Sequence, residues 1–227
     1  MSNGSRIILA VDTTDIDRAQ RLIAETRAYI EVYKFGLEFY LEHGFSVLKR
    51  IVDAEEIKLF LDLKLHDIPN TVGKASATLE GLNPFFLTVH ASGGREMIRA
   101  AVAALPKTQI TAVTVLTSLD DESISEMGFA GSMGDAVENL AKVAIAAGAR
   151  AFVASPHEVV RLRKLFPTST LITPGIRLST EQGDDQRRIM TPQDAVRAGS
   201  DYLVIGRPIT ASHSPAQVAE SIYNSLV

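Results

Sequence analysis

The chain has 227 residues, a formal net charge of −4, 46% hydrophobic residues and 22% charged residues, a globular balance that excludes a disordered or fibrous protein. Cysteine is absent, which removes disulfides, Cys-bound zinc, iron–sulfur clusters and a thiol nucleophile. The mild acidity argues against a general nucleic-acid surface, which needs clustered basic residues, so an anionic ligand must meet positive charge placed locally.

The opening MSNGSR lacks the basic segment and apolar stretch of a secretory signal. No uncharged apolar run approaches the roughly 18 residues of a membrane span. The expectation is a cytoplasmic protein with no membrane partner. Eight β-rich runs follow one another, at 6–12, 31–35, 57–65, 85–90, 109–117, 150–154, 170–173 and 201–205. Several are continuously apolar, as in strands buried on both faces. Helical stretches alternate with them at 15–29, 37–53, 70–80, 94–104, 135–147, 156–166, 192–198 and 215–225. Ser155-Pro156 and Thr191-Pro192 each read as a cap residue followed by proline at the first helical position.

Eight strand–helix units of about 28 residues each are the arithmetic of an α/β fold of the (β/α)8 TIM-barrel type. A doubly wound sheet usually carries a glycine fingerprint after its first strand, and this chain has AVDTTD there. With no linker or shift in composition, a single barrel domain spanning 1–227 is expected. Its chemistry belongs at the C-terminal ends of the strands.

Charged residues collect at those ends. The first run ends in Asp12, the second carries Lys34, and the third ends in DLKLHD. Alternation places Asp62, Lys64 and His66 on one face of the third strand and Leu63 and Leu65 on the other. Helices cover the outside of a parallel barrel, so the leucines face the helices and the charges face inward. Unpaired charge there is costly, and Lys34 on the neighbouring strand is available as a partner.

A second constellation follows the seventh and eighth runs, in TPGIR and GRPIT. Barrels often bind phosphate with these loops. Gly175 and Gly206 permit close backbone approach, Arg207 offers a guanidinium fork and Gln186 a neutral donor. Ser179 to Asp185 reads as a polar lid. Gly93-Gly94 suggests a tight turn, and His66 and His90 are read as structural at least as readily as catalytic. His43, His157 and His213 read as surface or capping residues, and the Gly/Met-rich Met127 to Gly134 suggests no chemistry. HExxH, P-loop and GxSxG patterns are absent.

Together LAVD, YKFGLEFY, FLDLKLHDIPNTV, TVHASGG, VLTS, ASPHE, TPGIR, DQRRIMTP and YLVIGRPIT resemble the orotidine 5′-phosphate decarboxylases, in their bacterial, monofunctional form. The resemblance runs from the first strand to the last helix. Its departures are slight: Leu65 stands where Phe is common, and ARAFVAS replaces a Gly-containing approach to the sixth strand. It implies decarboxylation of orotidine 5′-monophosphate to UMP and CO2 without metal or other cofactor. It implies Asp62 and Lys64 as the central carboxylate and ammonium, with Lys34 and Asp67 as the outer members of a charged tetrad. It also implies a homodimer in which Asp67, Ile68 and Thr71 reach the partner's site. Asp12 and Lys34 match ribose contacts, and Thr117 and Ser118 match the pyrimidine region. Pro174, Arg177, Gln186, Gly206 and Arg207 match substrate-binding positions, the last two at the phosphate.

Two other readings compete. Mg-dependent sugar-phosphate decarboxylases and synthases of the same barrel superfamily share the pattern of Asp62, Lys64 and Asp67, but carry a Glu metal ligand where this chain has Lys34. A non-catalytic phosphate-binding module would not need Lys34, Asp62 and Lys64 together inside a barrel.

Overall fold

The eight apolar runs form eight parallel strands that pair in chain order and close on themselves, β8 against β1. The structure, a computed structural model, describes residues 5–178 and 190–226. The elements are β1 (Ile7–Ala10), α1 (Ile16–Thr26), β2 (Val32–Gly36), α2 (Leu37–Glu55), β3 (Lys58–Leu65), α3 (Pro69–Thr78), β4 (Phe86–His90), α4 (Gly94–Ala104) and β5 (Gln109–Val113). They continue with α5 (Asp121–Glu126), α6 (Met133–Ala146), β6 (Ala151–Val153), α7 (Val159–Leu165), β7 (Thr170–Thr173), α8 (Pro192–Ala198), β8 (Tyr202–Ile205), α9 (Arg207–Thr210) and α10 (Pro215–Asn224).

Strand alternation sorts the side chains into two cores. Ile8, Val32, Phe60, Phe86, Ala151 and Ile172 pack inside the barrel. Their neighbours one residue away, such as Leu9, Tyr33, Leu59, Leu61 and Leu87, pack between strands and helices. Each large apolar side chain so buried contributes about 1.5–3 kcal/mol. The inner layer fills the barrel floor. Two residues further along β2, β3 and β4, and four beyond Ile8 of β1, the same parity reaches the mouth, and there the side chains change character to Lys34, Asp62, Thr88 and Asp12.

Helix starts follow local polar signals. Asp15 accepts the Arg18 N–H at 3.0 Å to cap α1, and Ser132 with Asp135 forms a capping box on α6. Thr191 caps α8, with Pro192 in its first turn, as its sequence predicts. Ser155-Pro156 behaves differently. The Glu158 carboxylate accepts the Ser155 N–H at 3.1 Å, closing a turn, and α7 begins only at Val159. β5 stops at Val113 rather than 117, because its partner β6 has only three residues and ends at Val153. α5 and the short α9 are additional to the helices expected. The Gly/Met-rich segment is a turn between α5 and α6 in which Gly128 and Gly131 adopt φ of 86° and 88°. Asp121 ties this turn down by accepting the Met133 N–H at 2.8 Å.

Candidate active site

Strand parity delivers the site residues. Asp12, Lys34 and Asp62 lie two residues beyond Ala10, Val32 and Phe60, and all point into one cavity of about 260 Å³ at the C-terminal mouth. Val113, Val153, Pro174, Val204 and Gly206 join them from β5 to β8 by the same step. The mouth is therefore polar on the β1–β3 side and apolar on the β5–β6 side. Gly175, Arg177 and Arg207 add to the lining from the segments that follow β7 and β8.

Asp62 is the centre of a charge network. Its Oδ1 accepts from Lys64 Nζ at 2.8 Å and from Thr88 Oγ1 at 2.9 Å. Lys34 Nζ lies 3.6 Å from the other oxygen and 3.4 Å from Asp12 Oδ1. Burial alone pushes the Asp62 carboxyl up. The Lys34 and Lys64 ammonium groups and the hydrogen bonds from Lys64 and Thr88 outweigh that, and hold it below the usual carboxylate range. Asp62 is thus an anion held between two cations in a partly enclosed site.

Alternation alone does not place Lys64. The β3–β4 register slips between Leu61 and Leu65, and Lys64 sits at φ 49°. A positive φ is uncommon for a side-chain-bearing residue. Lys64 still meets Asp62, but His66 does not join them, contrary to the simple alternating pattern. Its ring lies 5.5 Å from that of His90, tilted by 46°, and both line a separate cavity of about 160 Å³ with Thr114, Met127 and Phe129. Burial, His66 and Lys64 lower the His90 pKa, so that ring stays neutral near pH 7. His43, on α2, is a packing residue whose Nε2 lies 2.6 Å from the Thr14 carbonyl oxygen.

Other expected residues separate into groups. Thr117, Pro174, Arg177, Gly206 and Arg207 line the cavity, while Ser118 does not. Gly175 adopts φ 76°, a turn that favours glycine and carries the chain from β7 across the rim. A parallel bridge between Ile176 and Met190 joins the residues beyond this turn. Gln186 and the expected lid 179–185 lie outside the described residues. Asp67, Ile68 and Thr71 are exposed and do not line the cavity of their own chain. Asp67 Oδ1 accepts its neighbour's N–H, from Ile68, at 2.6 Å.

Comparison with known proteins identifies the family. The model of the orotidine 5′-phosphate decarboxylase / HUMPS family matches residues 5–222. The chain belongs to that family. A protein named orotidine 5′-phosphate decarboxylase from Thermobifida fusca is 48% identical over 95% of this chain and 93% of its own length. One of the same name from Ehrlichia canis is 44% identical over 97% of each chain. The crystal structure of orotidine 5′-phosphate decarboxylase from Lactobacillus acidophilus superposes with a TM-score of 0.86 at 33% identity, covering 98% of this chain and 99% of that one. The fold and family expected from the sequence are therefore borne out. Among the described residues, no helix is long and apolar enough to cross a membrane.

Two features of this decarboxylase-family site were not anticipated. Thr88 binds the central carboxylate, yet in FFLTVH it reads as an ordinary β-branched strand residue. The signal was its parity with Phe86. The apolar wall of Val113, Val115, Leu116 and Val153 was also missed. It faces the charges across the cavity.

Proposed function

We propose that the chain converts orotidine 5′-monophosphate to UMP and CO2, with Lys64 as the proton donor. The observation that carries this reading is the triad of Lys34, Asp62 and Lys64 in a cavity whose opposite wall is apolar. Breaking the C6–carboxylate bond leaves an electron pair on C6 that the pyrimidine cannot delocalise well. Fixed charges in a partly dry cavity stabilise it without reorganising. The Lys64 ammonium gives a proton to C6 as CO2 leaves, and the resulting amine regains one from solvent. Asp62, kept ionised by its neighbours, lies beside the substrate carboxylate. Asp12 and Lys34 hold the ribose, Thr117 the pyrimidine, and Arg177, Gln186, Gly206 and Arg207 the phosphate end beside Pro174.

The family also covers sugar-phosphate enzymes, and Lys34 argues against their Mg-dependent chemistry here. Its ammonium stands between Asp12 and Asp62, where a divalent cation would be repelled. The test is the loss of orotidylate absorbance with and without EDTA. Undiminished turnover in EDTA is expected. A requirement for Mg²⁺, or turnover of a hexulose phosphate instead, supports the sugar-phosphate reading, and no turnover of either supports a binding module.

The working unit is a homodimer. Asp67, Ile68 and Thr71 sit exposed at the start of α3, with Ile68 65% exposed, so all three are accessible to a partner subunit. From there Asp67 reaches the partner's Lys64 and completes a Lys–Asp–Lys–Asp tetrad. Purified heterodimers of an Asp67→Asn subunit and a Lys64→Ala subunit contain one site with both groups intact. They are expected to recover roughly half of wild-type activity, as two-fold symmetry requires. Heterodimers as inactive as both parents would place Asp67 outside the shared site.

A further inference from the structure

Thr88 is fully buried, at the mouth end of β4. Its hydroxyl lies 2.9 Å from Asp62 Oδ1 and 2.9 Å from the Lys64 backbone nitrogen. The polarity of both bonds is fixed. A backbone N–H can only donate, so the Thr88 oxygen accepts there. An ionised carboxylate can only accept, so the single hydroxyl proton goes to Asp62.

The second bond answers a local problem. Leu61 pairs with Leu87 and Leu65 with Val89, so β3 spends four residue steps where β4 spends two. The slip disturbs the ladder at Lys64, whose φ of 49° is uncommon for a side-chain-bearing residue. Thr88 accepts that N–H and so holds the displaced residue in place. The first bond then fixes the carboxylate that the Lys64 ammonium reaches at 2.8 Å. One hydroxyl therefore sets both ends of the Asp62–Lys64 pair: the backbone of one and the side chain of the other.

We propose that Thr88 is a positioning residue, whose hydroxyl holds the left-handed bulge at Lys64 and the rotamer of Asp62 so that the two charges face the reacting carbon together. This rests on the decarboxylase reading of the cavity. Thr88 does not line that cavity, and acts only through the two residues it binds.

Thr88→Val keeps shape and β-branching and removes the hydroxyl. Thr88→Ser keeps the hydroxyl and removes the methyl. The Val variant is expected to lose about 10- to 100-fold in kcat, the range of one hydrogen bond to an ionised group, while UMP affinity stays within about three-fold. The Ser variant is expected to remain within about three-fold of wild type. A packing role would give the reverse order, because Ser loses the methyl and Val does not. Equal kcat for Val and wild type, equal losses in Val and Ser, or a proportional fall in kcat and UMP affinity would each overturn the proposal. Thr88→Ala, compared in the same way with Thr88→Ser, carries the same reading should the Val variant fold poorly. A crystal structure of the hydroxyl-free variant decides the matter independently of activity. It is expected to show Asp62 rotated from Lys64 and Lys64 out of positive φ, and an unchanged pair would overturn the proposal. Inactive wild-type protein would instead count against the decarboxylase reading, leaving that structure to judge Thr88.

Discussion

Lys64→Ala is expected to lower turnover of orotidine 5′-monophosphate by at least about four orders of magnitude, or roughly 5.4 kcal/mol at 1.36 kcal/mol per decade. Two effects combine. The variant lacks the ammonium proposed to protonate C6. It also strips Asp62 of its shortest ion pair, 2.8 Å, and leaves the more distant Lys34 at 3.6 Å as compensation. The less compensated carboxylate then faces the substrate carboxylate, which opposes binding as well as reaction. The fold should persist, because the Lys64 side chain lies at the cavity and contributes nothing to either apolar core. UMP has no C6 carboxylate and should still bind through ribose and phosphate contacts. Single-turnover kinetics on folded variant, free of wild-type protein, check this. Retention of even a tenth of wild-type kcat would remove Lys64 as the proton donor.

Arg207→Ala is expected to lower kcat/KM for orotidine 5′-monophosphate by about 100- to 1000-fold, roughly 2.7–4 kcal/mol. Arg207 follows Gly206 on the cavity wall, just beyond the end of β8, the strand that pairs with β1. The proposed role of its guanidinium is to bind phosphate oxygens remote from the reacting carbon. Binding energy from such a remote group can be used to orient the pyrimidine at Lys64, so its loss reduces catalysis and not affinity alone. The comparison that checks this uses orotidine, which lacks the phosphate. The variant should process it about as poorly as wild type does. Equal proportional losses on both substrates would move Arg207 away from the phosphate.

The barrel was legible because its signal is redundant: eight β-rich runs, each followed by a helix, at regular spacing. Asp62 and Lys34 were legible because charge inside a parallel barrel is costly unless it is paired and put to use. Details set by pairing between strands were not. The run VTVLT looks like strand to its end, but its pairing stops at Val113 with the short partner β6. Lys64 satisfied the alternating pattern in sequence and departs from it in space, because a register slip between β3 and β4 is a property of two strands. The same slip sends His66 to a neighbouring cavity. Thr88 was hidden for a related reason. A threonine in a strand is ordinary until the partner strand places a carboxylate and an unpaired N–H beside it. Pro156 misled in another way: its proline signal was local, and the buried Glu158 carboxylate turned the chain back before the helix began. Asp67, Ile68 and Thr71 carry no signature within one chain, since their proposed work is on another.

A crystal structure with UMP in the cavity tests the central claim most directly. The account predicts C6 of the pyrimidine about 3–3.5 Å from Lys64 Nζ, the separation of reacting groups poised for transfer. It also predicts the phosphate at Gly206 and Arg207, with the ring against Val113 and Val153. UMP bound outside this cavity, or seated with C6 turned away from Lys64 and toward another proton donor, would contradict it.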